Sequence, residues 1–144
     1  MKEQLTGTSS VIINSSTNKV WEALTNPELI KKYFFGTNVK TDWKVGSAVK
    51  FTGEWEGKTY EDKGTILANE PQKLIRYSYL SSLSGKEDKP ENYQTVSYAL
   101  VPVEGKTKLT ITQEGIGSEK EKAHSQKNWS GVLNSLKALV EKDK

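Results

Sequence analysis

The chain has 144 residues, 34% of them hydrophobic, and carries 21 Lys and Arg against 18 Asp and Glu, with the two signs mixed along the sequence. This length suits one domain over residues 1–144, the mixed charges disfavour a nucleic-acid surface, and no stretch resembles a membrane span or a signal peptide. Cysteine is absent, which excludes disulfides, zinc–thiolate sites and cysteine nucleophiles, so we expect a soluble cytoplasmic protein with neither metal nor cofactor.

The first part of the chain predicts one strand followed by two short helices. The strand is predicted over residues 8–14, and polar residues that can cap a helix follow it. Apolar residues from Val20 onward lie at helical spacing, which predicts the first helix. Asn26 is predicted to cap the second helix and Pro27 to be its first residue, and Gly36 is predicted to end it.

The middle of the chain predicts a sheet. From Val45 onward the apolar period changes from helical to alternating, which indicates five antiparallel strands joined by short turns. The first of them places Phe51 and Trp55 on one face. Its partner, residues 59–68, alternates poorly, so the facing of that strand stays open. Residues 81–92 are rich in Ser, Gly, Lys and Glu and are predicted to form the longest loop.

The last predicted element is a long amphipathic helix. Ser118 and Glu121 form a capping-box pattern at its start, in which the serine accepts from the backbone of Glu121 and the glutamate reaches back. The apolar stripe of this helix comprises Trp129, Val132, Leu133, Leu136, Leu139 and Val140. Because only this helix can cover the sheet, we predict an α+β fold: a curved antiparallel sheet of about six strands, two short helices after the first strand, and the C-terminal helix packed across the sheet.

Several motifs in this order are shared with a known family. They are the segment Val20-Trp21-Glu22-Ala23-Leu24-Thr25-Asn26-Pro27-Glu28-Leu29-Ile30, then Gly46, then Gly64 and Pro71 ahead of Leu74-Ile75-Arg76-Tyr77, and finally Trp129. Over residues 11–140 the chain resembles the START-like, or helix-grip, superfamily, and within it the domain family named after the activator of the Hsp90 ATPase. The resemblance implies a cavity between the sheet and the last helix. The resemblance also implies that many relatives hold an apolar small molecule there and that some catalyse cyclisation, hydration or related reactions.

The positions predicted to face the last helix are unusually aromatic. We predict that a ligand cavity is lined by Phe51, Trp55, Tyr77, Tyr79 and Tyr98 from the sheet and by Trp129 and Leu133 from the helix, with Tyr33 and Trp43 nearer its mouth. Tyrosine hydroxyls could orient a ligand. The alternative is that the rings only fill the core, in which case each buried hydroxyl needs a partner within the protein.

Other residues that could carry chemistry are predicted to lie on the surface. His124 is the sole histidine and lies off the apolar stripe, so we predict an exposed side chain. The carboxylates Glu54, Glu56, Glu61 and Asp62 surround the first hairpin and are predicted to be hydrated surface charges, although the facing of Glu61 stays open. No catalytic residue is assigned.

Three functions follow from these observations. The first is a module that binds a small apolar or aromatic ligand between the sheet and the last helix. The second is a protein-interaction module like the Hsp90 co-chaperone that the resemblance implies. That co-chaperone has a further N-terminal domain, which we do not expect in this chain, so stimulation of the Hsp90 ATPase is not expected. The third is a cyclase-like or hydratase-like enzyme with a tyrosine or Glu61 as acid–base group. We expect a monomer or a weak homodimer, with neither a nucleic-acid nor a membrane partner.

Overall fold

A computed structural model describes residues 5–34, 36–55, 57–80, 87, 89 and 92–142, without the side chain of Trp55. Most of the predicted loop over residues 81–92 therefore lies outside the described residues. The described elements, in chain order, are β1 (Leu5–Ile13), α1 (Thr17–Thr25), α2 (Pro27–Tyr33), β2 (Asn38–Lys40), β3 (Ala48–Trp55), β4 (Lys58–Glu70), β5 (Leu74–Tyr79), β6 (Gln94–Val103), β7 (Lys106–Ile116) and α3 (Glu119–Lys142).

The strands form one curved antiparallel sheet in the order β1-β7-β6-β5-β4-β3-β2. The predicted antiparallel sheet is thus confirmed, with seven strands in the described part of the chain where about six were expected. The additional strand is β2. It has three residues, of which only Val39 is buried, and so short a segment carries no period that a sequence pattern could reveal.

The helices begin where the sequence supplies caps. Asn26 accepts from the backbone amide of the residue two positions on, and Pro27 follows as the first helical residue, as predicted. Ser118 accepts from the amide of Glu121 at 3.2 Å, which confirms one half of the predicted capping box. The other half differs, because the carboxylate of Glu121 accepts from the amide of Gly117, at 3.3 Å, one residue before the cap.

The apolar stripe of α3 closes the concave face of the sheet. Val132, Leu133, Leu136 and Val140 are buried, and they pack in one core with Ile13, Ile75, Leu109 and Ile111 of the strands. This arrangement confirms the predicted packing of the last helix across the sheet. In the described part of the chain, neither α3 nor a shorter helix combines the length and the apolar character needed to cross a membrane.

Side chains of α3 also reach the backbone at the outer strand β1. Three of them make such hydrogen bonds: Gln126 donates to the carbonyl of Thr8 (3.3 Å), Lys137 donates to the carbonyl of Ile12 (3.1 Å), and Glu141 accepts from the amide of Asn14 (2.8 Å). These contacts span the strand from near its start to the residue after its end. The helix is therefore tied along the edge of the sheet as well as packed on its face.

The facing of β4, which the sequence left open, is settled by its pairing with β3. Phe51 pairs with Asp62 and Val49 pairs with Gly64, so these residues of β4 share the concave face with the buried residues of β3. The register of β4 against β5 then shifts between Ile66 and Ala68. Because a shift of one residue exchanges the two faces, this irregularity explains the poor alternation of the strand.

Candidate functional site

An aromatic cluster lies between the sheet and the helices. Five of its rings form a closed circuit of contacts, with centroid separations of 5.4 Å (Phe51–Tyr77), 5.6 Å (Tyr77–Tyr98), 6.0 Å (Tyr98–Trp129), 5.7 Å (Trp129–Phe34) and 6.5 Å (Phe34–Phe51). β3, β5 and β6 supply three of these rings, α3 supplies one, and Phe34 follows α2 directly. Most pairs are tilted or edge-to-face, which is the favoured geometry for aromatic contacts.

The cluster is buried on the sheet side and half-buried on the helix side. Tyr77 is 2% exposed and Phe51 is 5% exposed, whereas Phe34 and Trp129 are partly accessible. Tyr79 packs on Phe51 with a centroid separation of 5.8 Å and is also half-buried. The circuit of rings therefore reaches solvent where α2 ends and α3 crosses the sheet.

The deepest hydroxyls are satisfied within the protein. Tyr77 and Tyr98 share a buried hydrogen bond of 2.7 Å between their hydroxyl oxygens, and Tyr33 donates to the carbonyl of Ala23 at 3.0 Å. Tyr33 was expected nearer the mouth, but it is 5% exposed, because its hydroxyl bonds to the backbone of α1. Burial is the main cause that raises the pKa of Tyr33, Tyr77 and Tyr98 above the ordinary value.

These three tyrosines should stay protonated when exposed phenols ionise. A folded-state pKa above the unfolded value of about 10 means that their stabilising effect is complete below about pH 10 and is lost as the pH rises through the folded pKa. In an ultraviolet titration of the folded protein, we expect Tyr33, Tyr77 and Tyr98 to resist ionisation up to about pH 11, with stability against urea falling above about pH 10. Ionisation of these three tyrosines near the ordinary pKa in the folded state would contradict this burial.

A row of polar residues borders the cluster on the same concave face. This polar band comprises Asp62 on β4, Tyr79 on β5, Gln94 on β6 and Gln113 on β7. Tyr79 donates to Oδ2 of Asp62 at 2.5 Å, and Gln113 donates to the side-chain oxygen of Gln94 in a short hydrogen bond. The band therefore crosses four strands and is linked in two pairs.

The polar band is joined to α3 through Gln113. Its Oε1 accepts from the indole nitrogen of Trp129 at 2.8 Å and from the hydroxyl of Ser125 at 2.7 Å. Because these two bonds come from adjacent turns of the helix, they fix the half-buried indole against the cluster. An apolar group placed among the rings would thus lie beside oriented amides on one side and a carboxylate on the other.

Asp62 corrects a prediction. It was expected among the hydrated surface charges, but it is 7% exposed, because the register places it beside Phe51. Glu61 points to the opposite face, where its carboxylate lies 3.7 Å from the ammonium of Lys50 and its side chain is 59% exposed. The interpretation of Glu61 as an acid–base group inside a cavity is therefore wrong. Glu54 is exposed as predicted, and Glu56 lies outside the described residues.

The remaining residues that were predicted to line the cavity are Leu133, Trp43 and Trp55. Leu133 is buried in the core. Trp43 donates its indole hydrogen to the carbonyl of Thr25 at 3.0 Å, which anchors the segment before β3 to the end of α1. The side chain of Trp55 lies outside the described part of the structure. His124 is exposed, as predicted.

Two surface concavities lie away from the aromatic cluster. One of about 430 Å³ adjoins the outer strand β2 and is lined by Lys40, Thr41, Asp42, Ala48 and Lys50. The other, of about 210 Å³, lies between the first two helices and the end of α3 and is lined by Lys19, Glu22, Ala23, Leu29, Leu139 and Val140. Within the described ranges, no three His, Asp or Glu side chains are grouped to hold a metal ion.

Gln94, Gln113 and Ser125 were missed by the sequence analysis. A signal for the two glutamines existed. Gln94 continues the alternation of Val96 and Tyr98, and Gln113 continues that of Ile111, which places both on the concave face. The predicted lining was restricted to apolar and aromatic side chains and therefore did not include them.

A curved antiparallel sheet that grips a long C-terminal helix is the helix-grip, or START-like, fold, which confirms the predicted fold class. The sequence profile of the family "Activator of Hsp90 ATPase homolog 1-like protein" matches residues 14–141. The chain belongs to this family, and the resemblance stated from its motifs is confirmed.

Solved structures extend this likeness. A protein from Cytophaga hutchinsonii, studied in solution, is 45% identical with a TM-score of 0.85, and the match covers 99% of this chain and 98% of that one. The Aha1 dimer from Colwellia psychrerythraea shares 22% identity with a TM-score of 0.75 over 95% and 96% of the chains. DynU16, from the dynemicin biosynthetic locus, shares 18% identity with a TM-score of 0.80 over 96% and 48%. The last two show the fold alone, and no protein of curated function matches the sequence.

Proposed function

We propose that this protein binds a small aromatic or apolar molecule at the aromatic cluster. The observation that carries the proposal is the polar band beside a closed circuit of five rings. A site for an apolar ligand combines apolar walls with a few oriented polar groups, and both are present on one face of the sheet. If the rings only packed the core, no row of polar residues such as Asp62, Tyr79, Gln94 and Gln113 would be needed beside them.

The ligand enters on the helix side, where Phe34 and Trp129 are half-buried. A ligand that enters must displace these two rings and so break aromatic contacts worth about 0.5–1.5 kcal/mol each. A flat bicyclic ligand restores contacts of the same kind and adds the burial of its own apolar surface. The buried rings of Phe51, Tyr77 and Tyr98 form the floor, and the hydrogen bond between the two tyrosine hydroxyls holds their rings in place. Of the ligand-binding residues predicted from the sequence, those proposed to contact the ligand are Phe51, Tyr77, Tyr79, Tyr98 and Trp129. Tyr33 and Leu133 lie in the buried core, and Trp43 anchors the neighbouring segment.

Binding is tested with 1-naphthylmethanol, a neutral bicyclic probe. In two-dimensional NMR spectra we expect it to shift the indole N–H signal of Trp129, whose hydrogen bond to Gln113 senses the position of the ring. Trp129→Ala should weaken binding by about tenfold or more, since it removes one wall of the site.

Leu139→Ala is the matched control, because Leu139 lies on the same helix but lines the separate concavity between the helices. That variant should bind the probe like the wild type. Equal loss of binding in both variants, or shifts confined to the neighbourhood of Leu139, would contradict a site at the aromatic cluster.

A further inference from the structure

We propose that the ligand of this site carries a protonated amine, and that Asp62 binds it. This inference rests on the proposed function and names the chemical class of the molecule. The acidic member of the polar band determines that class, because the other three members are neutral.

The position of Asp62 is unusual for a carboxylate. Its side chain is on the concave face, it is 7% exposed, and it lies directly across from Phe51 in the pairing of β3 with β4. Tyr79, which packs on Phe51, donates to its Oδ2. The carboxylate is thus placed at the border of the aromatic cluster, next to one buried ring and one half-buried ring.

A carboxylate beside aromatic rings favours one kind of ligand group. The faces of the rings carry negative potential and attract a cation, and the carboxylate forms strong charge-assisted hydrogen bonds with an ammonium group. Both effects repel an anion. A neutral hydroxyl gains only an ordinary hydrogen bond, so it gains less than an ammonium group in the same position.

Tyr79 serves as a positioning residue in this arrangement. Its hydroxyl holds one carboxylate oxygen at 2.5 Å, which sets the orientation of the group relative to the rings. The register explains how the two residues meet, since β4 extends beyond the end of β5 and Lys63 bridges to Leu80, one residue from each partner. The pairing of the two backbones therefore brings Asp62 and Tyr79 together.

The test uses three probes that share one ring system: 1-naphthylmethylamine, 1-naphthylmethanol and 1-naphthoate. Dissociation constants are measured by NMR titration with the full chain at neutral pH. We expect wild-type protein to bind the amine about tenfold more tightly than the alcohol, and the carboxylate probe more weakly than either. Asp62→Asn should abolish the preference for the amine, so that the amine and the alcohol bind to this variant with dissociation constants within about twofold of each other. Glu61→Gln, which changes the adjacent exposed carboxylate, should alter neither the preference for the amine nor the affinity for the alcohol.

Each result distinguishes this inference from the proposed function. Binding of the alcohol without a preference for the amine would overturn the role of Asp62 and leave the proposed function standing. Failure of all three probes to bind would overturn both. The comparison among probes on the wild-type protein decides the ligand class even if Asp62→Asn unfolds, and a preference that survives in folded Asp62→Asn would also overturn the assignment.

Discussion

Leu136→Ala is expected to lower the free energy of unfolding by about 3–4 kcal/mol. Leu136 is 0% exposed and lies in the centre of the stripe by which α3 covers the sheet. Truncation to alanine removes buried methyl groups and leaves a cavity, because a strand-backed core cannot collapse around the loss. Urea denaturation followed by circular dichroism measures the change.

Ser135→Ala is the control for this substitution. Ser135 is the preceding residue of α3 and is exposed, so we expect its replacement to change stability by less than about 0.5 kcal/mol. A loss of under about 1 kcal/mol for Leu136→Ala would mean that α3 is not closely packed on the sheet in solution.

Gly64→Ala is expected to cost about 3 kcal/mol or more. A methyl group added at Gly64 would collide with the carbonyl oxygen of Ser78 on the neighbouring strand β5. Backbone atoms cannot rotate away as a side chain can, so β4 and β5 would have to separate locally. Urea denaturation followed by circular dichroism measures this loss. We also expect altered NMR signals at Thr65, because its amide donates to the hydroxyl of Ser78 at 2.9 Å.

A glycine-to-alanine substitution in α3 is expected to raise the stability of the protein instead of lowering it. Gly131 is exposed in the middle of the helix, and an added methyl group would meet no atom within contact distance. Gly131→Ala should therefore raise stability by about 0.5–1 kcal/mol, the ordinary helix preference for alanine over glycine. Similar effects of both substitutions would show that the close approach of Ser78 to Gly64 does not exist in solution.

The fold could be predicted from the sequence wherever a period was long enough. The stripe of α3 spans three turns, and its buried residues are the predicted ones. The caps at Asn26 and Ser118 were equally visible, because capping depends on the residue type at one position. β2 could not be seen, since three residues at a sheet edge are held by pairing with β3 and carry no pattern of their own.

The site was predictable only in part, for a different reason. The buried rings of Phe51, Tyr77 and Tyr98 follow regular alternation and were predicted to face the helix. The facing of Asp62 depends on the pairing of β4 with β3, and a shift of register between Ile66 and Ala68 separates it from the later part of the strand. Pairing between strands is a long-range property. The choice between a surface charge and a buried carboxylate therefore required the tertiary structure.

The three bonds from α3 to β1 and to the residue that follows it bear on the behaviour of the protein when it is damaged or partly unfolded. β1 is an outermost strand of nine residues, and such an edge is a template on which a strand of another molecule can grow. Gln126 and Lys137 occupy two carbonyl groups of this strand, and Glu141 occupies the amide of Asn14 just beyond it. The other outermost strand, β2, has only three residues. Detachment of α3 thus uncovers an apolar face and a bare edge in a single event, so protection against aggregation resides in the C-terminal helix.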